Sequence, residues 1–186
     1  MKIGILALQG AFREHEEALK KLGIHYVELR KKEDLSSGID AIILPGGESS
    51  VQGKLLRELE MYDIIRQEIQ NGLPTLATCA GLILLAENIE EQTQTHFATL
   101  PVTVRRNAYG RQLGSFSCEG EVKGFGKIPM EFIRAPYISE VSKDVDVLSQ
   151  VDKKIVAVRY GAQYAFAFHP ELNDEPVVHQ TFVEGI

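Results

Sequence analysis

At 186 residues the chain has room for one domain, and 44% hydrophobic residues can supply its core without disulfides or metal. A balance of 20 Lys+Arg against 26 Asp+Glu leaves a net charge of −6, which argues against a nucleic-acid groove built on phosphate neutralisation. The two cysteines, Cys79 and Cys118, cannot make a disulfide framework, and neither has zinc-ligand spacing, so no metal site is expected.

The first third alternates strand and helix signals. Residues 2–8 read as a strand closed by Gln9-Gly10, and Phe12, His15, Leu19 and Leu22 follow at helical spacing until Gly23 stops the helix. Residues 24–29 read as a second strand. Ala41-Ile42-Ile43-Leu44 is a continuous apolar third strand of the kind buried on both faces of a parallel sheet, ended by Pro45-Gly46-Gly47. A helical stretch carrying Leu55, Leu56, Leu59, Ile64, Ile65 and Ile69 leads to a strand at 75–78, then to Cys79-Ala80-Gly81 and an apolar helix at 82–86. From Pro101 onward short strands dominate, at 102–104, 114–118, 132–133, 145–148, 155–158 and 164–168. A last helix is expected after His169-Pro170-Glu171, capped by Asn173 or Asp174, with Pro176 in its first turn. The pattern implies a single α/β domain over 1–186, with ligand-binding loops at the C-terminal ends of its parallel strands. No stretch reaches the ~18 apolar residues of a membrane span. The charged Arg13-Glu14-His15-Glu16-Glu17 soon after the apolar N-terminal run is unlike a signal peptide, so a cytoplasmic home is expected.

Three segments could carry chemistry. Ala77-Thr78-Cys79-Ala80-Gly81 is a strand-to-helix junction with small residues two positions either side of a nucleophile, as a tight nucleophile elbow requires. A thiol at a helix N-terminus gains from the free N–H groups there, although a lone Cys is more often a small buried hydrophobe. His169, at the end of a strand, is the best base among five histidines. In an extended His169-Pro170-Glu171 segment the carboxylate would lie on the same side as the imidazole and orient it, although alone the motif reads better as a solvated surface pair. The Pro45-Gly46-Gly47-Glu48-Ser49-Ser50 loop lets backbone approach a ligand and offers N–H groups to an oxyanion; its plainer reading is a turn with Ser49 or Ser50 as helix cap.

In that chain order, a Gly-Gly loop, an elbow cysteine and a late His-x-Glu resemble the class I, triad-type glutamine amidotransferases. Further blocks narrow the resemblance. They are Leu8-Gln9-Gly10, Arg13-Glu14-His15, Leu44-Pro45-Gly46-Gly47-Glu48-Ser49, Thr78-Cys79-Ala80-Gly81, Arg106-Asn107, Tyr109-Gly110-Arg111-Gln112, Phe132-Ile133-Arg134-Ala135-Pro136 and Phe168-His169-Pro170-Glu171-Leu172. Together they are similar to the glutaminase-subunit family of pyridoxal 5′-phosphate synthase.

The resemblance implies a flavodoxin-like central, mostly parallel sheet flanked by helices, with extra strands in the second half. It implies hydrolysis of L-glutamine to glutamate and ammonia through a Cys79 thioester, without a cofactor. The ammonia would pass through a tunnel to a synthase subunit in a multi-subunit complex. By this match Cys79 is the nucleophile, His169 the base and Glu171 its orienter, while Gly47, Glu48, Ser49, Arg106, Ile133 and Arg134 line the glutamine site. Gln9 and Gly10 form a switch loop beside the partner-docking helix at 12–22, and Gly46 and Ala80 join the oxyanion site. The arginines suit the chemistry independently, since a free amino acid carries a carboxylate that guanidinium groups grip.

Two places depart from the family pattern. His96-Phe97-Ala98 stands where a glycine usually follows His-Leu, and the chain closes at Gly185-Ile186, short of the expected last helix. Cys118 has no functional counterpart and reads as structural. The rival readings are another cysteine hydrolase on the same elbow fold and a catalytically silent regulatory subunit.

Overall fold

The computed structural model describes residues 1–106 and 114–186; Asn107 and the Tyr109-Gly110-Arg111-Gln112 block lie outside the described residues. β1 (Lys2–Leu6) leads into α1 (Phe12–Lys21), then β2 (His25–Leu29), a 3-10 helix at Lys32–Ser37 and β3 (Ala41–Leu44). The following helical stretch is two helices, α2 (Ser49–Glu58) and α3 (Tyr62–Gln70), because Glu60 takes φ 54 and turns the chain. That turn buries Met61 completely while Leu59 stays at the surface. β4 (Thr75–Thr78) and α4 (Ala80–Leu85) complete this half, and every residue of α4 is buried, as its unbroken apolar sequence demands.

The second half holds β5 (Ala86–Ile89), β6 (Leu100–Arg105), β7 (Ser115–Val122), β8 (Gly126–Ile133), β9 (Tyr137–Val141), β10 (Asp146–Val151), β11 (Lys154–Tyr160), β12 (Gln163–Phe166) and α5 (Val177–Glu184). β5 and β9 have no counterpart among the expected strands, and β12 stops two residues before the expected 168. Neither Asn173 nor Asp174 caps α5. Its N-cap is Pro176, ahead of the first turn rather than in it, and Asn173 Nδ2 donates to the Pro129 carbonyl at 2.9 Å instead.

The strand order β2-β1-β3-β4-β12 is parallel throughout. Beyond β12 the sheet continues antiparallel through β11, β9 and β6, with β5 parallel to β6 and β10 beside β11. This is the expected mostly parallel α/β sheet with strands added by the second half. β7 and β8 form a separate hairpin. It docks through Phe132, which stacks on Phe116 and meets Phe168 edge-on, at ring separations of 4.5 and 5.6 Å.

All four residues of β3 are fully buried, which explains why the strand lacks polar alternation. Its register with β4 and β12 brings Leu44 beside Ala77 and Phe166 beside Thr78. The loops that leave β1, β3, β4 and β12 therefore open side by side on one sheet edge, where open α/β sheets hold ligands. No helix among the described residues is long and apolar enough to cross a membrane.

Candidate active site

Cys79 sits directly after β4 with φ 47 and ψ −99, a backbone conformation that costs a non-glycine residue about 1–3 kcal/mol. Two contacts hold it there: its N–H bonds to the Phe166 carbonyl at 2.8 Å, and its own carbonyl accepts from Ile83 at 3.3 Å. The small flanks are required by packing. A Cβ on Gly81 would lie 2.1 Å from the Leu44 carbonyl oxygen, and Ala77 is wedged, fully buried, between Leu44 and Ala165.

His169 stands opposite, its N–H bonded to the Glu131 carbonyl of β8 at 2.8 Å. A Cβ on Gly46 would lie 2.3 Å from His169 Cε1, so only glycine lets the imidazole reach over this loop toward Cys79. His169 Nδ1 lies 2.7 Å from Glu171 Oε1. The pairing is not made along an extended segment as expected: Pro170–Leu172 is a one-turn 3-10 helix that folds the carboxylate back under the ring. Burial opposes a charged imidazole here, but hydrogen bonds to Cys79 and Glu171 outweigh it and push the His169 pKa up to about 10. The imidazole is thus built to hold a proton beside sulfur.

A cavity of about 390 Å³ opens in front of the pair, within the usual range for small-molecule sites. Gln9, Gly46, Gly47, Glu48, Ser49, Cys79, Arg106, Ile133, Arg134 and His169 all line it. Glu171 lies behind His169, its side chain fully enclosed, and Ala80 begins α4 directly after Cys79. Glu48, not Ser49 or Ser50, caps α2: its carboxylate accepts from the Ser50 N–H and hydroxyl and pairs with Arg106 at 2.6 Å. Burial pushes that carboxyl upward, yet Ser50 and Arg106 together hold it below its ordinary value. Ser49 Oγ is buried without a protein partner on the cavity wall, where a polar ligand could satisfy it.

The loop after β1 is strapped onto the glycine loop. Gln9 Oε1 accepts from the Glu48 N–H at 2.8 Å, Gln52 Nε2 donates to the Gln9 carbonyl at 2.9 Å, and the Ala11 N–H bonds to Gly46 O at 3.0 Å. Gly10 takes φ 106, and a Cβ there would lie 1.9 Å from Gly46 O. The Gly46 N–H does not face the cavity; it donates to Thr78 Oγ1 at 3.1 Å, so Gly46 serves the site by close approach rather than as an oxyanion donor.

Ala11, Glu14, Ile83 and Leu172 also line the cavity, and sequence reasoning missed them. Glu14 was legible only as one charge on a solvated helix face; the Arg13-Glu14-His15 block was the available signal. Cys118 lies on β7, half-buried, with burial raising its thiol pKa, and takes no part in the cavity.

Known proteins align with this arrangement. The sequence profile of the SNO glutamine amidotransferase family matches residues 5–186. The chain is 55% identical over 186 residues to the pyridoxal 5′-phosphate synthase subunit PdxT of Desulfitobacterium hafniense strain DSM 10664 / DCB-2, covering 100% of this chain and 94% of that protein. It is 54% identical over 187 residues to the same-named subunit of Streptococcus pneumoniae strain CGSP14, covering 99% and 96%. A crystal structure of a glutamine amidotransferase superposes with a TM-score of 0.93 at 46% identity over 99% of both chains. PurLQS from Thermotoga maritima, at 19% identity and a TM-score of 0.70 over 99% of this chain and 97% of that one, shares the fold alone. With the profile spanning nearly every residue, the chain belongs to the SNO glutamine amidotransferase family.

Proposed function

We propose that Cys79, His169 and Glu171 hydrolyse L-glutamine to glutamate and ammonia, and that the ammonia goes to a pyridoxal 5′-phosphate synthase subunit in a multi-subunit complex. The observation that carries the reading is the His169–Glu171 contact of 2.7 Å behind an elbow cysteine, in a chain of this amidotransferase family. His169 already holds the proton that came from Cys79 Sγ when sulfur attacks the amide carbon, then gives it to the departing ammonia. The resulting γ-glutamyl thioester is opened by water, with His169 again as base. Glu171 fixes the imidazole tautomer and balances the imidazolium. The Ala80 N–H, which has no intrahelical acceptor, and the Gly47 backbone stabilise the oxyanion.

Arg106 and Arg134 bind the amino-acid carboxylate, Glu48 and Ser49 hold the ammonium end, and Ile133 covers the aliphatic stem. Gln9 and Gly10 form the loop that a partner docked on α1 reorients. The residues form one glutaminase domain across 1–186, working in the cytoplasm, a placement supported by two free thiols.

The test is glutamate release from L-glutamine with and without the synthase subunit, together with a glutamine-mimicking electrophile. Mass spectrometry should find the label on Cys79 and not on Cys118. A label on Cys118, or full activity of Cys79→Ala, would sink the mechanism.

A further inference from the structure

His15 is fully buried on α1. Its Nδ1 lies 2.8 Å from Nε2 of His179 on α5, and its Nε2 lies 3.2 Å from Thr78 Oγ1 and 3.7 Å from Glu171 Oε1. Thr78 is the residue before the nucleophile. Its single hydroxyl meets three groups: the Gly46 N–H at 3.1 Å, His15 Nε2 at 3.2 Å and Glu171 Oε1 at 3.5 Å.

Counting hydrogens fixes how this cluster is wired. A hydroxyl has one proton and two lone pairs. One lone pair takes the Gly46 N–H. If His15 carries its proton on Nε2, it fills the second, and the Thr78 proton is free to donate to Glu171. His15 Nδ1 then accepts from His179 Nε2–H, leaving His179 Nδ1 as a bare lone pair, and that atom is buried without a partner. The opposite tautomers would make His179 Nδ1 a buried N–H with no acceptor and would turn the Thr78 proton toward His15, depriving Glu171 of a donor. A bare buried lone pair costs less than an orphaned N–H, so the first wiring prevails. Both imidazoles are neutral, as it requires: burial and the neighbouring histidines hold His15 well below its ordinary pKa, and burial lowers His179 to about 4.

We propose that His15 and Thr78 are positioning residues for the triad, a relay that runs from His179 through His15 and Thr78 to the Glu171 carboxylate and fixes the oxygen facing His169. The proposal rests on the triad reading above and adds what holds the carboxylate. The same hydroxyl ties down Gly46, so one proton count couples α1, α5, the glycine loop and the base.

The test uses the complex with the synthase subunit at saturating glutamine. Thr78→Val, nearly isosteric, should lower kcat about 10- to 100-fold, as removal of outer partners of a site commonly does, with KM for glutamine within about twofold. Thr78→Ser, which restores the hydroxyl, should bring kcat back to within about threefold. His15→Leu should lower kcat in the same direction, and Thr78→Val/His15→Leu should be little worse than Thr78→Val alone, because both cut one chain of bonds. If His15→Leu does not fold, the Thr78 pair decides. Wild-type kcat in Thr78→Val, a change confined to KM, or failure of Thr78→Ser to rescue overturns the proposal while Cys79→Ala remains inactive. Should Cys79→Ala itself stay active, the triad reading fails, and the relay falls with it.

Discussion

His169 reaches Glu171 across a single 3-10 turn, Nδ1 to Oε1 at 2.7 Å, so the proposed base and its orienter, two residues apart, meet across a turn rather than along an extended segment. Pro170 begins that turn, where its missing N–H costs nothing. The two side chains therefore move as one unit, and their losses should differ in degree. His169→Asn should lower glutaminase kcat about a millionfold, as base loss does in triad enzymes. Glu171→Gln keeps shape but loses the charge opposite the imidazolium, and should cost about a hundredfold less. Steady-state rates of the complex check both; wild-type turnover in Glu171→Gln would remove it from the site.

Gly10→Val should abolish partner stimulation. The new Cβ would lie 1.9 Å from Gly46 O at a φ of 106, so residues 9–11 would have to lift off the glycine loop. Partner-stimulated turnover should fall by more than about tenfold, and the melting temperature by roughly 5 °C for a strain of about 1–3 kcal/mol. Unchanged stimulation would release this loop from its switching role.

Ala98→Gly should stabilise the protein. Ala98 takes φ 51, which costs a residue with a Cβ about 1–2 kcal/mol. The greater freedom of glycine in the unfolded chain offsets part of this gain. A net rise of about 2 °C in melting temperature is expected, and a fall would show that the Ala98 methyl contributes more by packing than its backbone strain removes.

Acid should destabilise the fold through its buried histidines. His15 is held well below its ordinary pKa, and His179 and His96 are lowered to about 4, in each case chiefly by burial. Between pH 6.5 and 4 the unfolded chain binds protons these residues refuse in the native state, so stability is full above 6.5 and is lost as pH falls. For His179 alone the loss by pH 5 is about 2 kcal/mol. His169, raised to about 10, acts with the opposite sign: its contribution is full below 6.5 and is lost as pH rises toward 10. Thermal melts from pH 7 to 5 should fall steadily, less steeply in His179→Gln, and a flat profile would contradict neutral burial of the pair.

The sheet edge that carries the candidate site was legible because its determinants are local. The apolar tetrapeptide 41–44 reads as a covered strand because Pro45-Gly46-Gly47 closes it at strand length, and Ala77, Cys79 and Gly81 declare the elbow through their sizes. What stayed hidden depends on distant partners. His15 and His179 are 164 residues apart and meet only after α1 and α5 pack, so each reads alone as one polar residue on a helix. β5 has apolar residues only at its ends, Ala86 and Ile89, and is a strand because β6 offers it an edge. The break at Glu60 carries no Gly or Pro; a positive φ on a charged residue leaves no mark in the pattern.

The hairpin β7–β8 does more than wall the cavity. Phe132 rests against Phe168, the Glu131 carbonyl holds the His169 N–H, and the next residues, Ile133 and Arg134, form the rim. The rim and the anchor of the histidine backbone are thus consecutive parts of one arm. Grafting the hairpin of a relative with a different substrate preference would shift the backbone anchor of the histidine along with the rim. In this scaffold, selectivity and reactivity cannot be redesigned one at a time by exchanging that arm.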